Sequence, residues 1–196
     1  MKIKMPAQAA KVIQTLEQHG FEAYIVGGCV RDSILGRTPG DWDITTSASP
    51  QEVKEIFEHT VDTGIEHGTV TVLMNHEPYE VTTYRVDGKY KDHRRPNEVH
   101  FTKSLREDLL RRDFTINAMA YNDSEGIIDM YDGMTDLKNQ TIRCVGEAKK
   151  RFDEDALRIL RALRFQAQLG FQIEEKTEEA IKNQAKFLKD ISAERI

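Results

Sequence analysis

The sequence predicts an α/β head over residues 1–145, followed by a mainly helical region over residues 146–196. Up to about residue 145, short apolar runs with the alternation of β-strands are separated by helical segments and glycine turns. From about Glu147 onward, apolar residues instead recur at helical spacing, with a break at Gly170. We therefore expect an α/β (α+β) head that carries a sheet, and an all-helical region after it.

Apolar spacing, glycine breaks and a capping box set the elements expected in the first half of the head. Ser49, Pro50 and Glu52 form a strong helix start, because serine caps the backbone, proline fits the first turn and Glu52 completes the box. The expected elements are a helix over 6–19, a strand over Phe21–Val26, a short helix from Gly27-Gly28 to Gly36, a strand over Asp41–Ile44, and a helix from Pro50 to between Phe57 and His59.

The second half of the head is expected to contain a hairpin and a long polar loop. Residues 86–100 are polar and basic and contain Gly88 and Pro96, which predicts a mobile loop. The remaining elements are strands over Thr69–Met74 and Tyr79–Tyr84 joined by a turn at 76–78, a helix over Ser104–Arg112 that continues past Thr115, a strand over Gly126–Tyr131 and, beyond the head, an amphipathic helix over Glu174–Leu188.

The composition is that of a folded protein without membrane or zinc-binding segments. Of the 196 residues, 39% are hydrophobic and 31% charged, and no apolar run approaches the roughly 18 residues of a membrane span. The N-terminus shows no signal peptide, so a cytoplasmic location is expected. Cys29 and Cys144 lack the spacing of a zinc site. The net charge of −5 disfavours a nucleic-acid partner, but clustered arginines such as Arg111-Arg112 can still form a local anion site.

Asp41-Trp42-Asp43 is the first candidate for catalysis. Alternate residues of a strand point to one face, so both carboxylates are expected to project together. Close carboxylates repel unless a proton or cation lies between them, and Mg²⁺ prefers such hard oxygen ligands. Glu80, in a predicted strand, is a candidate third carboxylate. Surface strands also carry paired aspartates by chance, and Glu80 can be a solvent-facing edge residue, so structural roles stay open for all three.

The residues before Asp41 and Asp43 favour a functional role for this pair. Gly27-Gly28 ends a predicted strand and begins a predicted helix. Paired glycines let backbone N–H groups approach a phosphate closely, and a helix N-terminus adds positive potential. The guanidinium of Arg31 can donate two parallel hydrogen bonds to the same phosphate. A nucleotide-phosphate and metal site is therefore the better interpretation of the two motifs together, although a glycine pair alone is more often a simple turn.

Four motifs occur in the order found in a known family. They are Gly27-Gly28-x-Val30-Arg31-Asp32, Asp41-Trp42-Asp43, Arg111-Arg112-Asp113-Phe114-Thr115-Ile116-Asn117-Ala118 and Glu154-Asp155-x-x-Arg158. In these motifs the chain resembles the class II tRNA nucleotidyltransferases, the CCA-adding enzymes, over essentially its whole length. Because that family belongs with bacterial poly(A) polymerases and DNA polymerase beta, the resemblance implies a polymerase-beta-like nucleotidyltransferase sheet, followed by a helical neck and the start of a helical body.

The resemblance implies an activity and a set of site residues. Family members use CTP, ATP and Mg²⁺ to add C, C and A to a tRNA 3′ end without a nucleic-acid template. Asp41 and Asp43 match the metal ligands, and with Glu80 they are the catalytic candidates. Asp155 and Arg158 match the pair that reads the incoming base. The full set of nucleotide-binding candidates is Gly27, Gly28, Arg31, Arg112, Asp113, Asn117, Asp155, Arg158, Arg161 and Arg164.

The periodicity of the helical region supports this assignment. At about 100° per residue, Arg158, Arg161 and Arg164 form one stripe with Asp155 beside it. Arginine's planar fork suits base edges and phosphates, although most charged stripes are only solvated faces. The apolar arc expected to face the core contains Phe152, Ala156, Ile159, Leu160, Leu163 and Ala167.

Several alternatives stay open within and outside the family. A poly(A) polymerase shares the head motifs, and enzymes that add only CC lack a flexible loop in the region of residues 86–100. That region is long here and rich in Lys89, Lys91, Arg94 and Arg95, which favours full CCA addition over CC-only or A-only addition. An inactive RNA-binding relative is disfavoured because both aspartates are present.

The end of the sequence bears on the RNA partner. The chain stops at Ile196 on an apolar, helix-forming segment, which predicts a truncated chain, and family enzymes are considerably longer. We therefore expect nucleotide binding to persist and the tRNA 3′ end to be weakly held. The sequence does not indicate an oligomeric state.

Overall fold

The computed structural model describes residues 1–88 and 99–190. The helices within these ranges are α1 (Ala7–Gln18), α2 (Gly28–Ile34), α3 (Pro50–Ile56), α4 (Leu105–Leu110), α5 (Gly133–Lys138), α6 (Ala148–Glu154), α7 (Leu157–Leu169) and α8 (Glu175–Gln184). The strands are β1 (Ala23–Val26), β2 (Ile44–Thr46), β3 (Thr60–Gly64), β4 (Thr69–Met74), β5 (Glu77–Thr83), β6 (Arg85–Asp87), β7 (Val99–Phe101), β8 (Met119–Asn122), β9 (Gly126–Asp129), β10 (Thr141–Ile142) and β11 (Gln172–Ile173). Short 3₁₀ helices cover Ile65–His67, Thr115–Asn117 and Ala185–Asp190.

Seven of these strands form one mixed sheet in the order β3-β4-β5-β2-β1-β8-β9. The β2–β5 pair is parallel, with Ile44 opposite Val81 and Thr46 opposite Thr83. The other neighbouring pairs are antiparallel. The expected α/β class is therefore confirmed, and β1 and β2 lie at the centre of the sheet.

Both faces of the central sheet are covered. All four residues of β1 are buried, which requires packing on each side. Ala23 and Ile25 belong to the main core, which also contains the apolar faces of α1 and α3. Tyr24 and Val26 belong to a second cluster on the opposite face, together with Leu105 and Leu109 of α4. The ends of these buried central strands are consequently held rigidly.

The capping box predicted at α3 is present. The Glu52 backbone N–H donates to the Ser49 hydroxyl at 3.3 Å, and the Ser49 N–H donates to the Glu52 carboxylate at 2.7 Å. These bonds satisfy two N–H groups that have no partner within the helix. Pro50 occupies the first turn, as expected, and the helix ends at Ile56.

Several boundaries in the head differ from the sequence prediction. The strand expected over Asp41–Ile44 instead begins at Ile44, because its neighbour β1 ends at Val26 where the glycine turn begins. The hairpin turn lies at Asn75 and His76, both with positive φ, and β5 already begins at Glu77. The helix predicted to continue past Thr115 does not, since Phe114 is extended.

The two ends of the predicted loop over residues 86–100 form strands instead of loop. They form an antiparallel pair, β6 with β7, in which Val86 lies opposite His100. Residues 89–98, which include Lys89, Lys91, Arg94 and Arg95, lie outside the described residues. The β3, β8 and α5 elements were not predicted from the sequence.

The helical region is interrupted twice, at the predicted break near Gly170 and also at Asp155, where no break was predicted. Asp155 has extended backbone dihedrals and separates α6 from α7. After Gly170, β11 pairs in parallel with β10 of the head, and Gln172 N–H donates to the Gln140 carbonyl at 2.8 Å. The predicted helix over Glu174–Leu188 is α8 followed by a 3₁₀ helix.

Within the ranges that the structure describes, no helix is both long enough and apolar enough to span a lipid bilayer.

Candidate active site

The glycine turn between β1 and α2 brings two arginine side chains together. Gly27 has φ +81° and ψ −127°, a conformation that residues with a Cβ strongly disfavour. A Cβ built on Gly27 would lie 3.1 Å from Nη1 of Arg112, and one on Gly28 would lie 3.7 Å from Nη2 of Arg31. The bare backbone of the turn thus allows both guanidinium groups to approach it.

A Gly27→Ala substitution is expected to reduce both stability and activity. The added methyl group forces a positive φ on alanine, at a cost of about 1–3 kcal/mol, and displaces the Arg112 guanidinium. Urea unfolding and nucleotide-incorporation assays will measure the two effects. Gly40→Ala is the matched control, because a methyl group on Gly40 would enter open space and that residue has no positive φ. Equal behaviour of the two variants would contradict the assigned role of the turn.

The two predicted metal-binding aspartates lie at the start of β2, immediately before the sheet. The backbone carbonyl of Asp43 accepts from the Val26 N–H at 3.0 Å, so the chain is still paired with the end of β1 there. Asp41 and Asp43 are exposed, and Trp42 between them packs against the main core. Both aspartates line a cleft of about 500 Å³, and Glu80 on β5 lines it too.

The register explains why Glu80 shares this cleft. Because Ile44 of β2 lies opposite Val81 of β5 in a parallel pair, the preceding residues Asp43 and Glu80 are neighbours on one face. Glu80 is exposed and faces the cleft. The alternative of an edge-strand residue does not apply, because β5 lies between β4 and β2 in the sheet.

The electrostatics of Asp43 reflect its position against the sheet. Although the Asp43 side chain reaches the solvent of the cleft, the protein around it partly desolvates the carboxylate and so raises its pKa. The positive charge of Arg112 partly offsets that effect, and the negative charge of Asp41 adds to it. A divalent cation would relieve this unfavourable interaction between the two aspartates. The donor set, carboxylate oxygens open to the cleft, suits Mg²⁺. Among residues 1–88 and 99–190, no three His, Cys, Asp or Glu side chains are grouped closely enough to hold a metal by themselves.

Arg112 is held beside this cleft by a buried carboxylate. Asp108 is fully buried and accepts from Nε and Nη2 of Arg111 at 3.0 and 2.8 Å, while Nη2 of Arg112 lies 3.5 Å away. The Thr45 hydroxyl of β2 also donates to Asp108, at 3.2 Å. Desolvation by itself would raise the pKa of Asp108, but the charges of Arg111 and Arg112 outweigh it and the pKa is lowered. The carboxylate therefore stays ionised and fixes both arginines.

A second buried network links Arg31 to the neck helix α7. Nη1 of Arg31 donates to Asn117 at 2.7 Å, and the Asn117 amide donates to Asp113 at 3.3 Å. Asp113 in turn accepts from Nε of Arg161 at 2.7 Å. Arg31 also forms a two-pronged ion pair with Asp32, at 2.9 and 3.0 Å. Four of the predicted nucleotide-binding residues thus form one connected unit across the head and α7.

This network predicts a pH-dependent stability. Burial alone would raise the pKa of Asp113, but Arg161 and the hydrogen-bond donors around it lower the pKa. A lowered folded-state pKa stabilises the fold above the unfolded value of about 3.9, and this contribution is lost as the pH falls below it. Asp113→Asn is expected to cost about 2 kcal/mol at pH 7. Urea titrations at several pH values will give the free energy of unfolding of both proteins, and the difference between Asp113→Asn and wild type should become smaller below about pH 4. A difference in this free energy that does not depend on pH would contradict the assigned role of Asp113.

The three arginines predicted as a stripe on the neck do not share one exposed face. Arg158 is only 7% exposed, and its guanidinium donates to Glu154 and to the backbone carbonyls of Arg151 and Arg111. Arg161 is half-buried and Arg164 is exposed. All three lie on α7 at the predicted three-residue spacing, but they do not form a simple solvated face, because α7 packs with Arg158 turned toward the head.

The apolar arc predicted for this helix was also wrong in part. The buried residues of α7 include Ile159, Ala162 and Phe165, whereas Leu163 and Ala167 are exposed. The reason is the break at Asp155, which shifts the phase of α7 relative to Phe152 on α6. The Asp155 carboxylate accepts from the Leu157 N–H at 3.0 Å and so caps the start of α7.

Two residues of the site were not identified from the sequence. Asp108 was not considered, although acidic and basic residues three and four positions apart, as in Asp108 with Arg111 and Arg112, are a readable ion-pair signal. Phe165 was also missed. Its position directly after Arg164 is the only feature in the sequence that links it to the site. The guanidinium carbon of Arg164 lies 5.5 Å from the centroid of the Phe165 ring.

A cleft lined by paired carboxylates, beside arginines gathered at a glycine turn, is the kind of site that enzymes acting on nucleoside triphosphates use. The chain belongs to the family of the poly A polymerase head domain, whose family model matches residues 23–143. A second family model, described as the probable RNA and SrmB-binding site of polymerase A, matches residues 170–196.

Several CCA-adding enzymes are similar to this chain. The CCA-adding enzyme of Lactobacillus helveticus is 58% identical over 189 residues, which cover 96% of this chain and 47% of the relative. The Bacillus stearothermophilus CCA-adding enzyme in complex with CTP superposes with a TM-score of 0.90 at 48% identity, covering 97% of this chain and 47% of that one. The Thermotoga maritima CCA-adding enzyme complexed with tRNA-CCA gives a TM-score of 0.80 at 26% identity, covering 100% and 49%. The chain spans about half the length of the curated relatives it matches.

Proposed function

We propose that this chain is the catalytic part of a CCA-adding tRNA nucleotidyltransferase. It uses CTP and ATP to add C, C and A to the 3′ end of tRNA without a nucleic-acid template, and releases pyrophosphate. The observation that carries the proposal is the cleft of Asp41, Asp43 and Glu80 beside the arginines of the Gly27-Gly28 turn. The names of the relatives support the choice of reaction.

The cleft residues divide between metal and phosphate binding. Asp41 and Asp43 would hold Mg²⁺, with Glu80 as a further carboxylate on the same face. The bound metal would act as a Lewis acid on the triphosphate and neutralise part of its charge. Arg112 and Arg31, which lie against the glycine turn, would bind the phosphate oxygens.

The reaction joins the tRNA 3′ oxygen to the α-phosphorus of the nucleotide and breaks the bond between that phosphorus and the bridging oxygen to the β-phosphorus. The 3′ hydroxyl loses its proton, and pyrophosphate takes the electron pair of the broken bond. Residues of this chain contribute by orienting the triphosphate and by stabilising the charge that develops on the leaving group. The buried Asp108 supports this role because it fixes Arg112 before substrate arrives.

Base selection is assigned to Asp155 and Arg158. The pair offers both hydrogen-bond acceptors and donors, so a small rotation would match either C or A. The Arg158 guanidinium already donates to Glu154 and to two backbone carbonyls, so it is held in position before a base arrives. Replacing either residue with alanine is expected to alter the choice between CTP and ATP more than the rate of transfer. Unchanged selectivity would rule out the assignment.

A primer-extension assay tests the proposed function. The substrate is a tRNA that ends before CCA, supplied with CTP alone, ATP alone or both. CCA addition predicts two cytidines with CTP, no addition with ATP alone, and the complete CCA with both. The matched family is named after poly(A) polymerase. Such an enzyme would extend the tRNA with ATP and would not use CTP. A CC-only enzyme would add cytidines from CTP to a tRNA that ends before CCA and would add no adenosine. An A-only enzyme would use only ATP, on a tRNA that ends before the final A.

A further inference from the structure

Three arginine side chains surround one aromatic ring on α7. The guanidinium carbons of Arg31, Arg161 and Arg164 lie 5.0, 5.4 and 5.5 Å from the centroid of the Phe165 ring. All three distances fall within the roughly 6 Å over which a cation is attracted to the negative face of a ring. Phe165 is 6% exposed, so water competes little for these contacts.

The orientation of the ring is fixed independently of the arginines. Phe114 packs edge-on against Phe165, with the ring centroids 5.9 Å apart and the planes at 87°. Phe114 directly follows Asp113, the residue that pairs with Arg161. One short segment of the head therefore sets both the position of the ring and that of one arginine.

The charges around the ring leave an excess of positive charge. Arg31 pairs with Asp32, and Arg161 pairs with Asp113. Across residues 1–88 and 99–190, Arg164 has no carboxylate partner, and its guanidinium lies over Phe165. Three like charges around one point repel one another, and the ring offsets that repulsion without neutralising any of them. Such an arrangement leaves a net positive charge beside the ring, and the exposed Arg164 presents it to an anion.

We infer that Phe165 is a positioning residue that holds Arg31, Arg161 and Arg164 together as one binding surface for the triphosphate of the incoming nucleotide. The inference rests on the proposed function. Arg31 comes from the head, and the other two arginines come from the neck helix. The ring therefore aligns phosphate-binding groups from both parts of the chain.

Fluorination of the ring tests this role with little change in shape. Pentafluorophenylalanine at position 165 reverses the charge distribution of the ring and converts attraction of the arginines into repulsion. The dissociation constants of CTP and of inorganic triphosphate are measured by calorimetry on the full chain. We expect both to increase about tenfold. Phe171, which is 5% exposed and belongs to the main core, is the matched control for the same replacement.

The outcomes separate this inference from the proposed function. If the unmodified chain binds neither CTP nor triphosphate, the proposed function fails and the inference fails with it. If the unmodified chain binds both, and fluorination at 165 changes the dissociation constants no more than fluorination at 171 does, the inference alone is wrong.

Natural substitutions provide a second route if the fluorinated chain does not fold. Phe165→Tyr keeps an aromatic face and is expected to bind CTP within about twofold of wild type, whereas Phe165→Leu is expected to weaken binding about tenfold. The Phe171→Leu variant controls for the loss of core volume. Equal CTP binding by Phe165→Leu and Phe171→Leu would overturn the role of the ring.

Discussion

Replacing Asp43 with asparagine is expected to lower the rate of nucleotide incorporation by about 10³-fold or more. The substitution keeps the size of the side chain but removes one of two adjacent carboxylates proposed to bind Mg²⁺. The rate is measured as CMP incorporation into tRNA that ends before CCA. Asp41→Asn is expected to have an effect of the same order, because both carboxylates line one cleft.

The same substitution is expected to leave the fold as stable as before. Because the pKa of Asp43 is raised in the folded protein, its ionised form opposes folding above that pKa, and a neutral asparagine removes this cost. The free energy of unfolding at pH 7 should therefore stay the same or rise slightly. Asp62→Asn on β3, an exposed aspartate paired with Lys54, is the control for the chemical change. Retained transfer in Asp43→Asn, or loss of transfer only through unfolding, would refute the metal assignment.

Replacing Asp108 with asparagine is expected to destabilise the fold by about 3–5 kcal/mol. The substitution removes the buried negative charge shared by Arg111 and Arg112 and leaves both guanidinium groups without their carboxylate. It also weakens the bond to the Thr45 hydroxyl in the central strand β2. Urea unfolding followed by circular dichroism will give the change in free energy.

An exposed ion pair provides the comparison for Asp108. Glu178 and Lys182 on α8 form a similar pair at 2.8 Å, but both side chains are more than half exposed. Glu178→Gln is expected to cost no more than about 0.5 kcal/mol, because water screens the pair. A small effect for Asp108→Asn, close to that of Glu178→Gln, would show that the buried network contributes little to stability.

Local signals in the sequence predicted much of the head. The capping box at α3, the glycine turn before α2 and the alternation of β4 are each encoded within a few residues, and the structure contains all three. The strand β8 was missed because its residues are buried on both faces and so show no alternation. The strand β3 was missed because it is mostly polar and exposed at the sheet edge.

The site was predictable in its residue types but not in its connections. The resemblance identified Arg31, Asp113 and Asn117 as candidates, yet their mutual hydrogen bonds depend on how the 3₁₀ helix after Phe114 approaches α2. The orientation of α7 could not be predicted either, because periodicity assumes a continuous helix. The break at Asp155 changes which side of α7 faces the head.

The pairing of β10 with β11 gives the neck segment an unusual mechanical character. The chain leaves the head at Ile142 and returns beside the same point, where Glu174 N–H donates to the Ile142 carbonyl at 2.9 Å. Between these two ends, Phe152 and Phe165 are buried in the main core, and Arg161 pairs with Asp113 of the head. The intervening helices α6 and α7 are therefore held at both ends and along their length. A substitution that loosened the strand pairing would consequently also act on the position of the α7 arginines.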